Sequence, residues 1–226
     1  MVFTISYKII MRILKSSISF IVIAVMGIFL LVVAIRDKIE LSKPPAKIED
    51  MTEKDFYNGR FVEGDIYEIW GEYATLKESK SMFGIKYSTK TTSHYYLMPL
   101  ETSYITGEPK FISLSVRDSN DMFTAEKMAG EFEDYANTNF EDISKFVTTM
   151  HVKGKITKLP KDGIKIFDDT LNELGFSSTT DAVHYVINVG NDGSGTSYAL
   201  IIGIVVTLVG LGGTAISVIR GIRRGY

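Results

Sequence analysis

The chain has 226 residues, 45% hydrophobic and 23% charged, with a formal net charge of −2 and no cysteine. Without cysteine there is no disulfide framework, no thiolate zinc site and no cysteine-borne lipid anchor. The near-neutral total hides a partition. All 27 acidic residues lie between Asp37 and Asp192, and six of the 25 basic residues lie in the tails, so the middle holds 19 basic residues and a net charge of −8.

Residues 1–17 form a basic, apolar tail with Lys8, Arg12 and Lys15. Residues 18–35 (ISFIVIAVMGIFLLVVAI) and 198–219 (YALIIGIVVTLVGLGGTAISVI) carry no charged side chain. As a helix the second run is about 33 Å long, enough for a hydrocarbon core of about 30 Å, and both runs are expected as transmembrane helices. The first is longer than the roughly 7–15 residues of a signal peptide, so it is expected to stay as an anchor even though Val32 and Ala34 are small enough for cleavage. Basic residues flank it about evenly, whereas Arg220, Arg223 and Arg224 follow the second run closely and no Lys or Arg lies between Lys165 and Tyr198. That asymmetry predicts a multi-pass protein of the cell membrane with both termini cytoplasmic and the central domain outside. Nucleic acid is then not an expected partner.

Residues 36–51 read as a charged linker containing Pro44-Pro45, and residues 52–189 as a globular domain. Thr52 and Asp55 resemble a capping box, with Asn58-Gly59 as its stop. Residues 61–76 predict a long first strand bent at Gly64 and Gly71, residues 77–90 a lysine-bearing loop, and residues 91–100 a second strand. In residues 111–117, Ile112, Leu114 and Val116 alternate with polar residues as a third strand. Met122, Ala125, Met128, Phe132 and Tyr135 then recur at helical spacing. A fourth strand covers residues 149–157. A second helix presents Ile164, Phe167, Leu171 and Leu174 and is closed by Gly175. The last strand covers residues 182–189, and 190–197 form a Gly-rich lead into the second span, which ends in a basic tail, 220–226. Three strands, helix, strand, helix, strand is the order of a mixed α/β (α+β) domain built as a five-stranded OB-fold-like barrel with two amphipathic helices. A generic α+β sandwich is the alternative.

The segments GRFVEGDIYEIWGEYA (59–74), YYLMPL (95–100), FISLSV (111–116) and VKGKITKL (152–159) resemble a family of two-pass membrane proteins of Gram-positive bacteria, with an outer β-rich domain between the spans. The resemblance implies topology only. The plan of two spans around a β domain is also similar to membrane-anchored ubiquitin ligases of mitochondria, whose zinc RING the seven residues after the second span cannot supply.

No GxSxG, SxxK, HExxH or P-loop pattern occurs, so no catalytic residue, metal site or cofactor is assigned. His94, His151 and His184 fall on three predicted strands and read as solvated surface histidines. Asp168 and Asp169 read as a solvated helix face. Tyr67, Trp70, Tyr95 and Tyr96 are a candidate aromatic platform, with core packing as the commoner fate. Lys77, Lys80, Lys86 and Lys90 in the first loop, with Lys153, Lys155 and Lys158 of the fourth strand, would flank the binding face of an OB-fold and suit an anionic ligand. Met82, Phe83 and Ile85 form an apolar loop tip suited to partner contact. In the second span, Ala199, Gly203, Thr207, Gly210, Thr214 and Ser217 make a stripe of small residues for close helix contact, with Ala24 and Gly27 of the first span or another copy. The expected function is a non-enzymatic membrane protein whose outer domain binds a protein or an anionic envelope ligand. The alternatives are a membrane-anchored envelope enzyme, or a homo-oligomeric structural or pore assembly through the second span.

Overall fold

The computed structural model describes residues 7–82, 85–101, 107 and 109–223, with side chains described for 17–77, 92–101, 107, 109–142 and 144–223. The chain divides into two units, the terminal segments Met1–Ser42 with Gly193–Tyr226, and the central Lys43–Asp192.

The terminal unit is a pair of helices, α1 (Tyr7–Leu41) and α4 (Thr196–Arg223). Within them, Ser17–Leu41 and Thr196–Arg223 are long and apolar enough to cross a membrane. Their contacts run in opposite senses: Phe20 lies beside Gly213, Ala24 beside Gly210, Gly27 beside Thr207 and Leu31 beside Gly203. The pair is therefore antiparallel, with Leu41 and Thr196 at one end.

The central unit is built on a sheet of β1 (Ala46–Lys47), β2 (Phe61–Ile66), β3 (Gly71–Met82), β4 (Ile85–Pro99), β5 (Phe111–Val116), β6 (Met150–Lys158) and β7 (Ala182–Val189). Two further helices join it, α2 (Ser119–Asn137) after β5 and α3 (Lys161–Glu173) after β6. The strand order is β1-β2-β6-β7-β5-β4-β3, with β1 parallel to β2, β5 parallel to β7 and the other pairs antiparallel. This corrects the expected five-stranded OB-like barrel: among the described residues the sheet has seven strands and is open, ending at β1 and β3. The reason lies in the run 61–76. It is not one bent strand serving both ends of a barrel, because β2 and β3 lie five places apart, second and seventh, in the strand order. The chain breaks at Gly71, whose φ of +153° L-residues rarely adopt. The loop expected at 77–90 is likewise replaced by the paired arms of β3 and β4, from Lys77 opposite Thr91 to Met82 opposite Ile85.

Strand alternation sorts side chains onto two faces. On one face Val62, Tyr96, Ile112, Leu114, Val152, Ile156 and Ile187 form a core covered by Ala125 and Met128 of α2. On the other, Leu97, Phe111 and Val186 pack under Phe167 and Leu171 of α3. The helix boundaries follow local chemistry. Asp118 caps α2 by accepting from the Asn120 N–H at 2.9 Å, and Gly175 at φ +86° ends α3 while the Phe176 N–H bonds Leu171 O. The Thr52–Asp55 box forms, with the Thr52 N–H and Oγ1 both donating to the Asp55 carboxylate, but it opens only a 3-10 turn, Glu53–Asp55. The segment read as a linker is also structured, since α1 continues to Leu41 and Ala46–Lys47 joins the sheet edge.

Candidate functional site

The strands that carry the predicted lysines are not neighbours. β3 and β6 are four places apart in the sheet, about 19 Å at roughly 4.8 Å per strand. Lys77 is exposed on β3, and the side chains of Lys80, Lys86 and Lys90 lie outside the described residues. Those of Met82 and Ile85, and Phe83 altogether, lie outside them as well. Lys158 is exposed at the end of β6.

On β6, side chains of one face meet their partners on β2 directly across the strand pair. Lys155 Nζ lies 5.6 Å from the centre of the Phe61 ring, Lys153 Nζ lies 3.5 Å from Glu63 Oε2, and His151 Nδ1 lies 2.7 Å from Asp65 Oδ1. His151 Nε2 also reaches Glu63 Oε1 at 3.4 Å. The hydrogen bonds to Asp65 and then Glu63 hold the imidazole above its ordinary pKa. A cleft of about 400 Å³ opens beside this ladder, lined by Lys47, Glu49, Asp50 and Gly64 among others.

The other histidines, at part-exposed positions, are paired with carboxylates too. His94 Nδ1 is 2.9 Å from Glu72 Oε1, and His184 Nε2 is 2.7 Å from Asp168 Oδ1, so Asp168 is not merely a solvated helix residue. The three pairs sit on β3–β4, β2–β6 and α3–β7. Among the described residues no group of three His, Cys, Asp or Glu side chains is placed to hold a metal ion.

A different site emerges between the β2–β3 connection and the end of α2. Tyr67, Glu68 and Trp70 from the connection face Phe132 and Tyr135 of α2, and Phe140 and Phe146 from the segment after it, across a cleft of about 500 Å³. Trp70 organises it. Its indole stacks on Phe132 with ring centres 4.7 Å apart and meets the edge of Phe111 at 4.8 Å, while its N–H donates to Glu68 Oε1. Tyr135 meets Phe140 and Phe146 edge-on at 5.3 and 4.9 Å. Glu131 ties the outer wall down by accepting from the Val147 N–H at 3.1 Å and the Thr148 N–H at 2.9 Å.

Phe140 stands out in this wall. Its φ is +62°, next to Asn139 at +56°, a region costing a bulky L-residue on the order of 1 kcal/mol or more, and the residue is 59% exposed. The sequence platform of Tyr67, Trp70, Tyr95 and Tyr96 is split, because Tyr96 is wholly buried in the α2-side core and Tyr95 packs on the α3 side. Phe132 and Tyr135 had read as core stripe. The available signal was the run of four aromatic residues among acids in 132–146.

Of the predicted small residues of α4, Gly203, Thr207 and Gly210 lie against Leu31, Gly27 and Ala24 of α1. Gly203 and Gly210 are buried, and a β-carbon on Gly210 would lie 2.6 Å from Ala24 Cα. Thr207 and Thr214 return their hydroxyls to the carbonyls of Gly203 and Gly210 at 2.7 and 2.8 Å, so these two donors are satisfied within their own helix. Val25, Phe29 and Val32 of α1 and Ile201, Val205 and Leu208 of α4 point outward and are exposed.

No curated protein matches the chain. A family model described as a domain of unknown function matches residues 7–220, taking in both long apolar helices and the sheet unit between them, and the chain belongs to that family, Domain of unknown function (DUF8577).

Proposed function

We propose that the chain is a two-span membrane protein whose α1–α4 pair anchors the sheet domain, and that the domain binds a ligand or partner rather than transforming one. The observation that carries this is the helix pair. Its seam is made of small residues, yet apolar side chains cover its remaining surface. Such a surface is poorly placed in water, whereas lipid solvates it and leaves close packing to hold the seam. An antiparallel pair returns the chain to the side of the bilayer it left, as a single domain inserted between two spans requires. The Lys and Arg asymmetry favours cytoplasmic tails and an outer domain. Binding is favoured over catalysis because the three histidine–carboxylate pairs are dispersed over the fold, whereas the aromatic side chains converge.

The cysteine-free sequence makes the test direct. Glu173→Cys in the domain and Tyr226→Cys in the tail are introduced singly and exposed in intact cells to a membrane-impermeant maleimide. Glu173→Cys is expected to react in intact cells, Tyr226→Cys only after permeabilisation, and the protein to stay in the membrane pellet after alkaline carbonate. Release by carbonate would overturn the anchor, and the reverse labelling pattern would overturn the orientation.

A further inference from the structure

We propose that the outer part of the β3–β4 hairpin, residues 77–82 with 85–91, is an arm that docks on the anionic surface of the bilayer that the two spans cross. The inference rests on reading α1 and α4 as spans, and three observations carry it further. First, the arm leaves the sheet. β4 pairs with β5 only from His94 to Pro99, whereas it stays paired with β3 out to Ile85 opposite Met82. Among the described residues no third strand joins the arm, and a two-stranded ribbon is marginally stable in water on its own. A surface that receives it supplies what the sheet does not.

Second, the register fixes which way the arm points. Ala46, Val62, Gly154 and Val189 stand in one row across β1, β2, β6 and β7. The pairing of Ser115 with Asn188 brings Val116, His94 and Thr75 level with that row on β5, β4 and β3. β3 runs in the same direction as β7, so the residues from Thr75 to Met82 carry the arm about 20 Å past the row, on the side toward which β7 heads as the chain leaves for α4. Both chain ends of the domain lie in this row. Ala46 follows Leu41 of α1 by five residues and Val189 precedes Thr196 of α4 by seven, at most about 18 and 25 Å of extended chain. The arm is about as long as the tethers that hold the row to the spans.

Third, the charge of the arm is opposite to that of the domain. Residues 77–91 hold Lys77, Lys80, Lys86 and Lys90 against Glu78 alone, a net +3 inside a central segment of net −8, and at the turn the sequence runs Met82-Phe83-Gly84-Ile85. Basic residues on both sides of a short apolar run suit anionic headgroups above hydrocarbon, where each lysine strengthens attachment by roughly fivefold. A small soluble anion would answer the lysines but not the apolar run.

The cysteine-free chain allows a single probe. Ser81→Cys, close in size to the native side chain, is labelled with the environment-sensitive NBD fluorophore in the full chain. The protein is reconstituted in nanodiscs of phosphatidylglycerol or of phosphatidylcholine, whose two faces are both open to solvent. Lys158→Cys, at the opposite end of the sheet, is the aqueous reference. In phosphatidylglycerol the Ser81→Cys probe is expected to emit to the blue of the reference, to be quenched by spin-labelled lipid and to be shielded from iodide. These signs are expected to fade in phosphatidylcholine. Lys80→Glu with Lys86→Glu is expected to lower the ratio of docked to free arm by about 25-fold or more in phosphatidylglycerol.

A Ser81→Cys probe as open to iodide as the reference in phosphatidylglycerol overturns the proposal. So does docking that ignores both the lipid charge and the lysine reversal. Shielding that arises only in discs holding two copies overturns it in favour of a contact between copies. The spans fail separately. Release by carbonate overturns them whatever the probe reports, whereas a chain that stays in the carbonate pellet with its Ser81→Cys probe in water keeps the spans and loses the docked arm.

Discussion

Glu131 and Thr148 are joined twice: the carboxylate accepts from the Thr148 N–H at 2.9 Å and from its hydroxyl, so strand β6 is entered from a segment moored to α2. The same carboxylate accepts from the Val147 N–H and lies 3.9 Å from Lys127 Nζ. Burial opposes its ionisation, but the hydrogen bonds from Thr148 and Val147, with Lys127, outweigh burial and hold its pKa below the ordinary 4.5. A depressed folded-state value means stability that is present above the unfolded pKa and lost as pH falls through the folded one. Glu131→Ala is expected to cost about 1–2 kcal/mol at neutral pH and to flatten that acid dependence. Urea titration of the full chain in detergent, followed through its single tryptophan, Trp70, checks both.

His151 is expected to titrate above 6.5, because the charged imidazole gains Asp65 and Glu63 as partners. The sign is opposite to that of Glu131: a raised folded value gives stability that is complete below the unfolded pKa and is lost as pH rises through the folded one. Asp65→Asn should move the midpoint down. The measurement is the pH dependence of the His151 ring signal by NMR, and a midpoint unmoved by Asp65→Asn would show that the contact does not act on the proton.

At the helix seam, Gly210→Leu is expected to separate α1 from α4, since even one added carbon meets the Ala24 backbone. Overpacking of this kind costs about 1–3 kcal/mol. The check is oxidative crosslinking of the pair Leu31→Cys and Gly203→Cys, adjacent in the parent chain. Crosslinking should be efficient in the Gly210 background and strongly reduced in Gly210→Leu.

What the sequence determined by itself were features written within one segment. Length and lack of charge marked both apolar helices, period-two alternation marked β5 and β6, and helical spacing with a stop at Gly175 marked α3. Each follows from backbone geometry acting over a few residues. Only the tertiary structure decided strand order, because pairing joins residues far apart in the chain, as Phe111 with Ala182 and Glu63 with Lys153. The barrel expectation failed there, since nothing local in residues 61–76 states that β2 and β3 go to distant places in the sheet. The partners of the histidines were hidden for the same reason: Asp65 lies 86 positions from His151 and becomes its neighbour only when β2 and β6 pair. The aromatic cleft, likewise, needs Trp70 and Phe132 stacked although they lie 62 positions apart, a contact that the burial of two separate core faces brings about.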